Sequence, residues 1–351
     1  MAWVLDTDYI EPEELTAVIR ASLAEQQVNR FTLARWLPNV AVDDITFKFS
    51  KGGTGGLAEA SVYRSWDTES RIGRREGVAQ VMGELPPISE KIPLNEYDSL
   101  RIRSLDNANP MRRAIARDAY RLATNIAARF ELGKGEALAN AQFTINENNV
   151  QLAPVQFGRK PEHSVTAAVL WSDHANARPL DDLEAWVQVY VDTNGAPPDR
   201  ALMPRTVLAH MRQCDQVVRQ VYPLAPAGSA PMVSVEQLNT VLSGLDLPAV
   251  ELNDARVSVD GTATRVMPAD ALVFVPAPGA TDAAQPTDLG GFLLGTTAES
   301  LEPEYSAVAE RAGVVAATWK TKDPVRLWTH AAAVGMPVVR EPNLTLKAVV
   351  I

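Results

Sequence analysis

The stretch Ile45-Thr-Phe-Lys-Phe-Ser50, followed directly by Lys51-Gly-Gly-Thr-Gly-Gly56, starts as a strand and then loses any preference. Ile45, Phe47 and Phe49 alternate with Thr46, Lys48 and Ser50, the period of extended backbone. The glycines hold no single backbone conformation cheaply. Two more extended runs follow, Ala60 to Trp66 and Gly77 to Met82, separated by the polar turn region Asp67 to Gly73 and leading into Leu85-Pro-Pro87. This describes a long two-stranded ribbon with too few apolar residues for a core of its own. An isolated hairpin in water is marginal at best. The ribbon therefore needs a support, and another copy of the chain is the expected one.

Upstream, residues 1–43 read as an arm. Leu15, Val18, Ile19 and Leu23 fall at helical spacing, Phe31, Leu33, Trp36 and Leu37 continue an apolar face, and Pro38 ends it. Downstream, Asn109 and Pro110 suit a helix start. Met111, Ile115, Ala119, Leu122, Ile126 and Phe130 recur on one stripe, and Gly133 suits the position past the end, so a helix over 109–133 is predicted. Arg113, Arg117 and Arg121 share another face of it. Short strands are predicted at Phe143–Ile145, Val150–Leu152 and Val165–Trp171. A helix is predicted from Leu180 to Asn194-Gly195, another from Pro204 to about Cys214, and a third around Val235–Leu242. Asp260-Gly261 marks a hairpin, and Leu272–Val275, Val314–Trp319 and Leu344–Ile351 read as further strands.

The chain has 351 residues, 46% of them hydrophobic and 22% charged, which is ordinary for a globular protein large enough for one elaborate or two simple domains. With 33 Lys+Arg against 43 Asp+Glu, the net charge of -10 argues against a dedicated nucleic-acid binder but leaves room for one basic face. The single cysteine, Cys214, excludes a disulfide framework and a cysteine-based zinc site. No apolar run reaches the length of a membrane span. The start, Met1-Ala-Trp-Val-Leu-Asp6, lacks the basic and apolar regions of a signal peptide, so folding in a cytoplasm without membrane insertion is expected.

Chemistry-bearing patterns are sparse. The glycines at 52–56 have neither the Gly-Lys-Ser/Thr ending of a phosphate loop nor the spacing of a dinucleotide fold. His163, His174, His210 and His330 include no pair at zinc-binding helical spacing. Asp173-His174 is an Asp–His neighbour pair in a polar turn, but catalytic triads are assembled from distant segments and no nucleophile elbow is present. Glu13-Glu14 and Asp181-Asp182 open helices, where acids complement the dipole. The reading is a non-enzyme with no cofactor and no metal.

Several strings in fixed order complete the picture: Leu5-Asp-Thr-Asp-Tyr-Ile10, Asn29-Arg-Phe-Thr-Leu-Ala-Arg-Trp-Leu-Pro38, Ile72-Gly-Arg-Arg-Glu-Gly77, Gly83-Glu-Leu-Pro-Pro-Ile-Ser89, Glu96-Tyr-Asp98, Trp171-Ser-Asp173, Pro179-Leu-Asp-Asp182, and Asn194-Gly195 with Pro197-Pro198. In these the chain resembles the major capsid proteins of tailed bacteriophages, in the lambda-type capsid protein E family. The resemblance implies an α+β chain with the Hong Kong 97 capsid fold. It assigns residues 1–43 to an N-terminal arm and 44–98 to an extended β-ribbon loop. Residues 99–164, with a spine helix at 109–133, would form a peripheral domain completed by about 302–335. Residues 165–301 would form an axial domain with the C-terminal strands 336–351.

The resemblance also implies what the protein does. Copies would form the hexamers and pentamers of an icosahedral head that encloses double-stranded DNA and matures from a procapsid in the bacterial cytoplasm. Expected partners are a separate scaffolding protein, a portal protein and, in some members, a decoration protein. Candidate intersubunit ribbon residues are Phe47, Phe49, Lys51, Tyr63, Trp66, Arg71, Arg74 and Arg75. Candidate DNA-facing residues are Arg113, Arg117 and Arg121. Some relatives cross-link a ribbon lysine to an asparagine; Lys48, Lys51 and Lys91 lie in or near the ribbon and Asn343 near the end, but no cross-link is expected here. An encapsulin-like compartment is the alternative reading, and an α/β enzyme using Asp173 and His174 is a remote one.

Overall fold

A computed structural model describes residues 5, 7–50, 80–103, 108–147, 150–224, 231–279, 285–302 and 312–351. Two five-stranded sheets organise them. In the first, the long strand β15 (Val325–Val339) is the hub. Along it pair β14 (Val315–Lys322), β4 (Pro87–Leu94) and β13 (Gly290–Gly295), all antiparallel, and β1 (Asn39–Ala41) joins β13 in parallel. The second sheet has the order β7 (Ser164–Thr166), β16 (Leu346–Val349), β12 (Ala271–Val275), β8 (Arg200–Met203) and β9 (Ala249–Leu252).

Each sheet anchors one core, and β12 serves both. Its residues are all buried. Because successive side chains point to opposite faces, Val273 and Val275 enter the first core while Leu272 and Phe274 enter the second. The second core is closed by α4 (Pro179–Asn194), α5 (Arg205–Gln213), α6 (Asp215–Val221) and α7 (Val235–Gly244). The arm ties the two together. Trp36 is fully buried and its Nε1 donates to Pro276 O at 2.8 Å, Gly279 N donates to Arg35 O at 2.7 Å, and Arg35 pairs with Glu251 of β9.

The first core is built on α3, which spans Ala108–Asn140. The stripe Met111, Ile115, Ala119, Leu122, Ile126 and Phe130 is buried along its whole length. Phe130 meets Phe292 of β13 with ring centroids 4.4 Å apart. Helix α1 (Pro12–Asn29) lies against α3 and β14, with Thr16 Oγ1 accepting from Ala316 N at 3.1 Å and donating to Ala316 O at 3.2 Å. The arm thus docks on its own chain.

The helix does not end at Gly133 as the sequence suggests. It continues through Gly133 and Gly135, both of which serve close packing rather than termination. A Cβ on Gly135 would lie 2.2 Å from the carbonyl oxygen of Val266, so only hydrogen fits there. The true end is Ala141, at φ 50 in the left-handed region. At 1.5 Å per residue the rod is about 50 Å long rather than about 35 Å.

Other sequence readings meet the structure more directly. Gly195 caps α4 at φ 75, and Asp260-Gly261, at φ 48 and 79, turns the hairpin of β10 (Arg256–Val259) and β11 (Thr262–Arg265). A second hairpin pairs β5 (Gln142–Glu147) with β6 (Val150–Gln156). The strand expected over Val165–Trp171 shrinks to β7. Beyond Thr166 the chain turns, with Trp171 N donating to Val350 O at 2.7 Å and its indole stacked on Trp186.

Candidate assembly surfaces

The ribbon begins as expected and then divides into two parts. β2 (Thr46–Ser50) pairs antiparallel with β3 (Gln80–Glu84), which sets Phe47 opposite Gly83 and Phe49 opposite Val81. Among the described residues this two-stranded sheet joins no other strand. Its base is fixed: Asp44 accepts from Thr46 N at 3.0 Å and Thr46 Oγ1 at 2.7 Å, and Leu85 N donates to Ile45 O at 2.9 Å.

The limb that follows does not need a second copy. Leu85 is buried, and β4 pairs with β15 of the same chain over eight residues. The expectation of support from another copy for the whole of 44–93 is therefore corrected for its C-terminal part. Lys91 of β4 sits 4.8 Å over the Trp328 ring. The runs Ala60–Trp66 and Asp67–Gly73, and with them Lys51, Tyr63, Trp66, Arg71, Arg74 and Arg75, lie outside the described residues. For Phe47 and Phe49 the backbone alone is described.

Arg113, Arg117 and Arg121 stand together on the exposed face of α3, one turn apart. None forms an ion pair with a described residue, whereas their neighbours Arg112 and Arg129 pair with Glu14 and Glu147. The Asp118 carboxyl beside them is pushed up by burial, against the pull of Arg117 and Arg121. The three guanidinium groups form a cationic strip on the exposed face of α3.

On the buried side of the same helix lie two charged residues that the apolar stripe concealed. Glu131 and Lys134 are each 1% exposed. Glu131 Oε1 accepts from Leu33 N at 3.1 Å, and Lys134 Nζ donates to Asn39 Oδ1 at 3.0 Å, so both hold the arm. Burial drives the Glu131 carboxyl up and the Lys134 ammonium down, each opposed by the other's charge. The signal in the sequence was an acid and a base three residues apart next to Phe130.

The catalytic candidates do not assemble. The Asp173 carboxylate accepts from Asn176 Nδ2 at 2.9 Å, so it caps its own turn instead of orienting His174. The His174 ring turns to His210. Asp182 accepts from Trp171 Nε1 at 2.9 Å, and Asp181 pairs with Arg178 and accepts from Gln216. Cys214 is buried, which pushes its thiol up to about 12. His163 is spent between Thr345 O and Thr193 Oγ1. Asn343 is also committed, its Oδ1 accepting from Lys160 N at 3.0 Å. Among the described residues no group of three or more His, Cys, Asp or Glu is placed to hold a metal, and no helix is long and apolar enough to cross a membrane.

What is left is a two-stranded sheet that pairs with no third strand among the described residues and a row of exposed arginines on the longest helix. The profile of phage major capsid protein E matches residues 45–350, most of the chain. The chain belongs to the phage major capsid protein E family. Its role is structural, that of a shell-forming protein.

Two solved structures share the α+β fold, which is related to the Hong Kong 97-type capsid architecture. One, assigned as the capsid protein of a prophage in E. coli CFT073, is 14% identical with a TM-score of 0.60, covering 96% of this chain and 99% of the other. The second, a phage-related protein from Bordetella bronchiseptica RB50, is 10% identical with a TM-score of 0.60, covering 99% and 98%. A search of curated protein sequences finds no match.

Proposed function

We propose that copies of this family E capsid subunit close into an icosahedral head of hexamers and pentamers around double-stranded DNA, assembled in the host cytoplasm. The observation that carries the reading is the β2–β3 sheet, rooted in its own subunit yet paired with no third strand among the described residues. A two-stranded ribbon is stable only against something else, and in a ring of identical subunits the neighbour supplies that surface. A separate scaffolding protein and a portal protein belong to the same reading.

The anchoring of β4 makes the test clean. Replacing residues 47–82 with a short flexible linker removes no strand of either five-stranded sheet and no described residue of either core. The expected product is a folded, monodisperse subunit by circular dichroism that no longer sediments as large particles. Particles that form as efficiently without these residues would contradict the assignment.

The cationic strip on α3 is assigned to the inner surface of the shell. Arginine–phosphate contacts ignore sequence and weaken steeply with salt, which suits a protein that must hold any genome. Reversing Arg113, Arg117 and Arg121 to Glu is expected to lower the DNA content of particles, read as the ratio of absorbance at nucleic-acid and protein wavelengths, while shells still form. Loss of shells altogether would make this face a subunit contact.

A further inference from the structure

The sequence separates His174 and His210 by a helix, a strand and most of another helix, yet the fold brings His174 Nε2 to within 2.9 Å of His210 Nδ1. Both residues sit on well-held backbone. The turn carrying His174 is tied to the α5–α6 corner, since Asp215 N donates to His174 O at 2.8 Å and Ala177 N to Asp173 O at 2.9 Å. The Cys214 thiol bridges the two segments from beneath, 3.6 Å from Trp171 O and 3.3 Å from His210 O. Both rings are half-buried, so solvent reaches the pair. The exposed carboxylate of Asp173 adjoins His174 in the chain, adding negative potential.

Two neutral imidazoles at this distance share one hydrogen between two nitrogen lone pairs. Two nitrogens bound to one metal at about 2.05 Å and at right angles also lie about 2.9 Å apart, whereas a tetrahedral angle opens them to about 3.3 Å; each ring must then turn by about 45° so that its lone pair leaves the hydrogen-bond line and points at the ion. We propose that this pair is a two-histidine chelate for a divalent cation that favours nitrogen donors in tetragonal or octahedral geometry, Cu2+ or Ni2+ rather than Mg2+ or Ca2+. Nε2 of His174 and Nδ1 of His210 take two cis positions. Water fills the others, because among the described residues no third protein donor is placed with them. Whichever ring donates in the metal-free pair moves its proton to its other nitrogen, so the site fills as neutral imidazoles and acid competes with the metal. A bound ion replaces a single shared hydrogen with two coordinate bonds, and so fastens the turn at 172–176 to α5.

The test is titration of the full-length chain with CuCl2, NiCl2 and MgCl2 by calorimetry, with electron paramagnetic resonance of the Cu2+ form. The expected result is one strong Cu2+ or Ni2+ equivalent per subunit, no Mg2+ binding, and a hyperfine pattern from two nitrogen donors. Losing even an outer partner of a metal ligand costs 10–100-fold in affinity, so His174→Ala and His210→Ala should each weaken binding by about tenfold or more. His174→Gln, which keeps a polar side chain in the turn, should show the same loss with an unchanged circular dichroism spectrum. A one-nitrogen signature, or affinity unchanged when His174→Ala and His210→Ala are combined, would overturn the assignment.

Discussion

Lys134→Met is expected to cost the isolated subunit about 3–5 kcal/mol, because it removes the stronger of the two positive charges acting on the buried Glu131 carboxylate and leaves only the weaker pull of Arg35. Both groups are 1% exposed, so water cannot take the place of the lost ammonium. The double variant Glu131→Gln, Lys134→Met should recover most of that loss, since replacing a whole buried pair with well-packed residues of similar size is often neutral. The pH dependence follows from the direction of the shift. Burial raises the Glu131 carboxyl in the folded state. A raised folded value contributes stability that is complete below the ordinary carboxylate range and is lost as pH rises through the elevated one. In Lys134→Met the opposing ammonium is gone, so the deficit should deepen from mildly acidic to mildly alkaline buffer. Urea midpoints in the two buffers measure this. A single variant as stable as the parent in alkaline buffer would show that Glu131 is not confined as described.

Gly135→Ala is expected to destabilise although helix propensity argues the other way. In an exposed helix the change would gain about 1 kcal/mol. Here the new methyl would lie 2.2 Å from Val266 O and 2.5 Å from Val266 Cγ1. The obstacle is the backbone of Val266, directly after β11, and cannot rotate aside as a side chain would. Overpacking costs about 1–3 kcal/mol; a backbone obstacle at 2.2 Å belongs at the upper end, so after the propensity gain of about 1 kcal/mol the net change is a loss of about 2 kcal/mol. A lowered urea midpoint with unchanged helical content checks it; a raised midpoint would mean that α3 and the hairpin separate easily.

These two positions show where reading the chain works and where it stops. The apolar stripe of α3 and the Asp260-Gly261 turn are legible because each depends on local spacing and local backbone preference. The end of α3 is not, because Gly133 and Gly135 answer to Pro337 and Val266, which are remote in sequence. β15, the hub of the first sheet, leaves no alternating pattern. Most of it is buried on both faces, and Ala331, Ala332, Ala333, Gly335 and Pro337 suit close packing rather than strand propensity. At Gly335 a Cβ would lie 2.5 Å from Leu293 O. The pairing of β2 with β3 is legible from the alternation around Phe47 and Phe49, whereas the attachment of β4 to β15 is not, because its partner was itself hidden. Among the assembly candidates, the arginine row follows from helical spacing alone. The contact of His174 with His210 requires the tertiary fold.

If this subunit completes its structure against other copies of itself, electron microscopy of the purified chain shows it most directly. Closed particles built from rings of subunits, with residues 47–82 of each lying on a neighbour, are the predicted result. A population of single subunits in which that ribbon packs against its own cores, at any concentration and with scaffolding protein present, would contradict it.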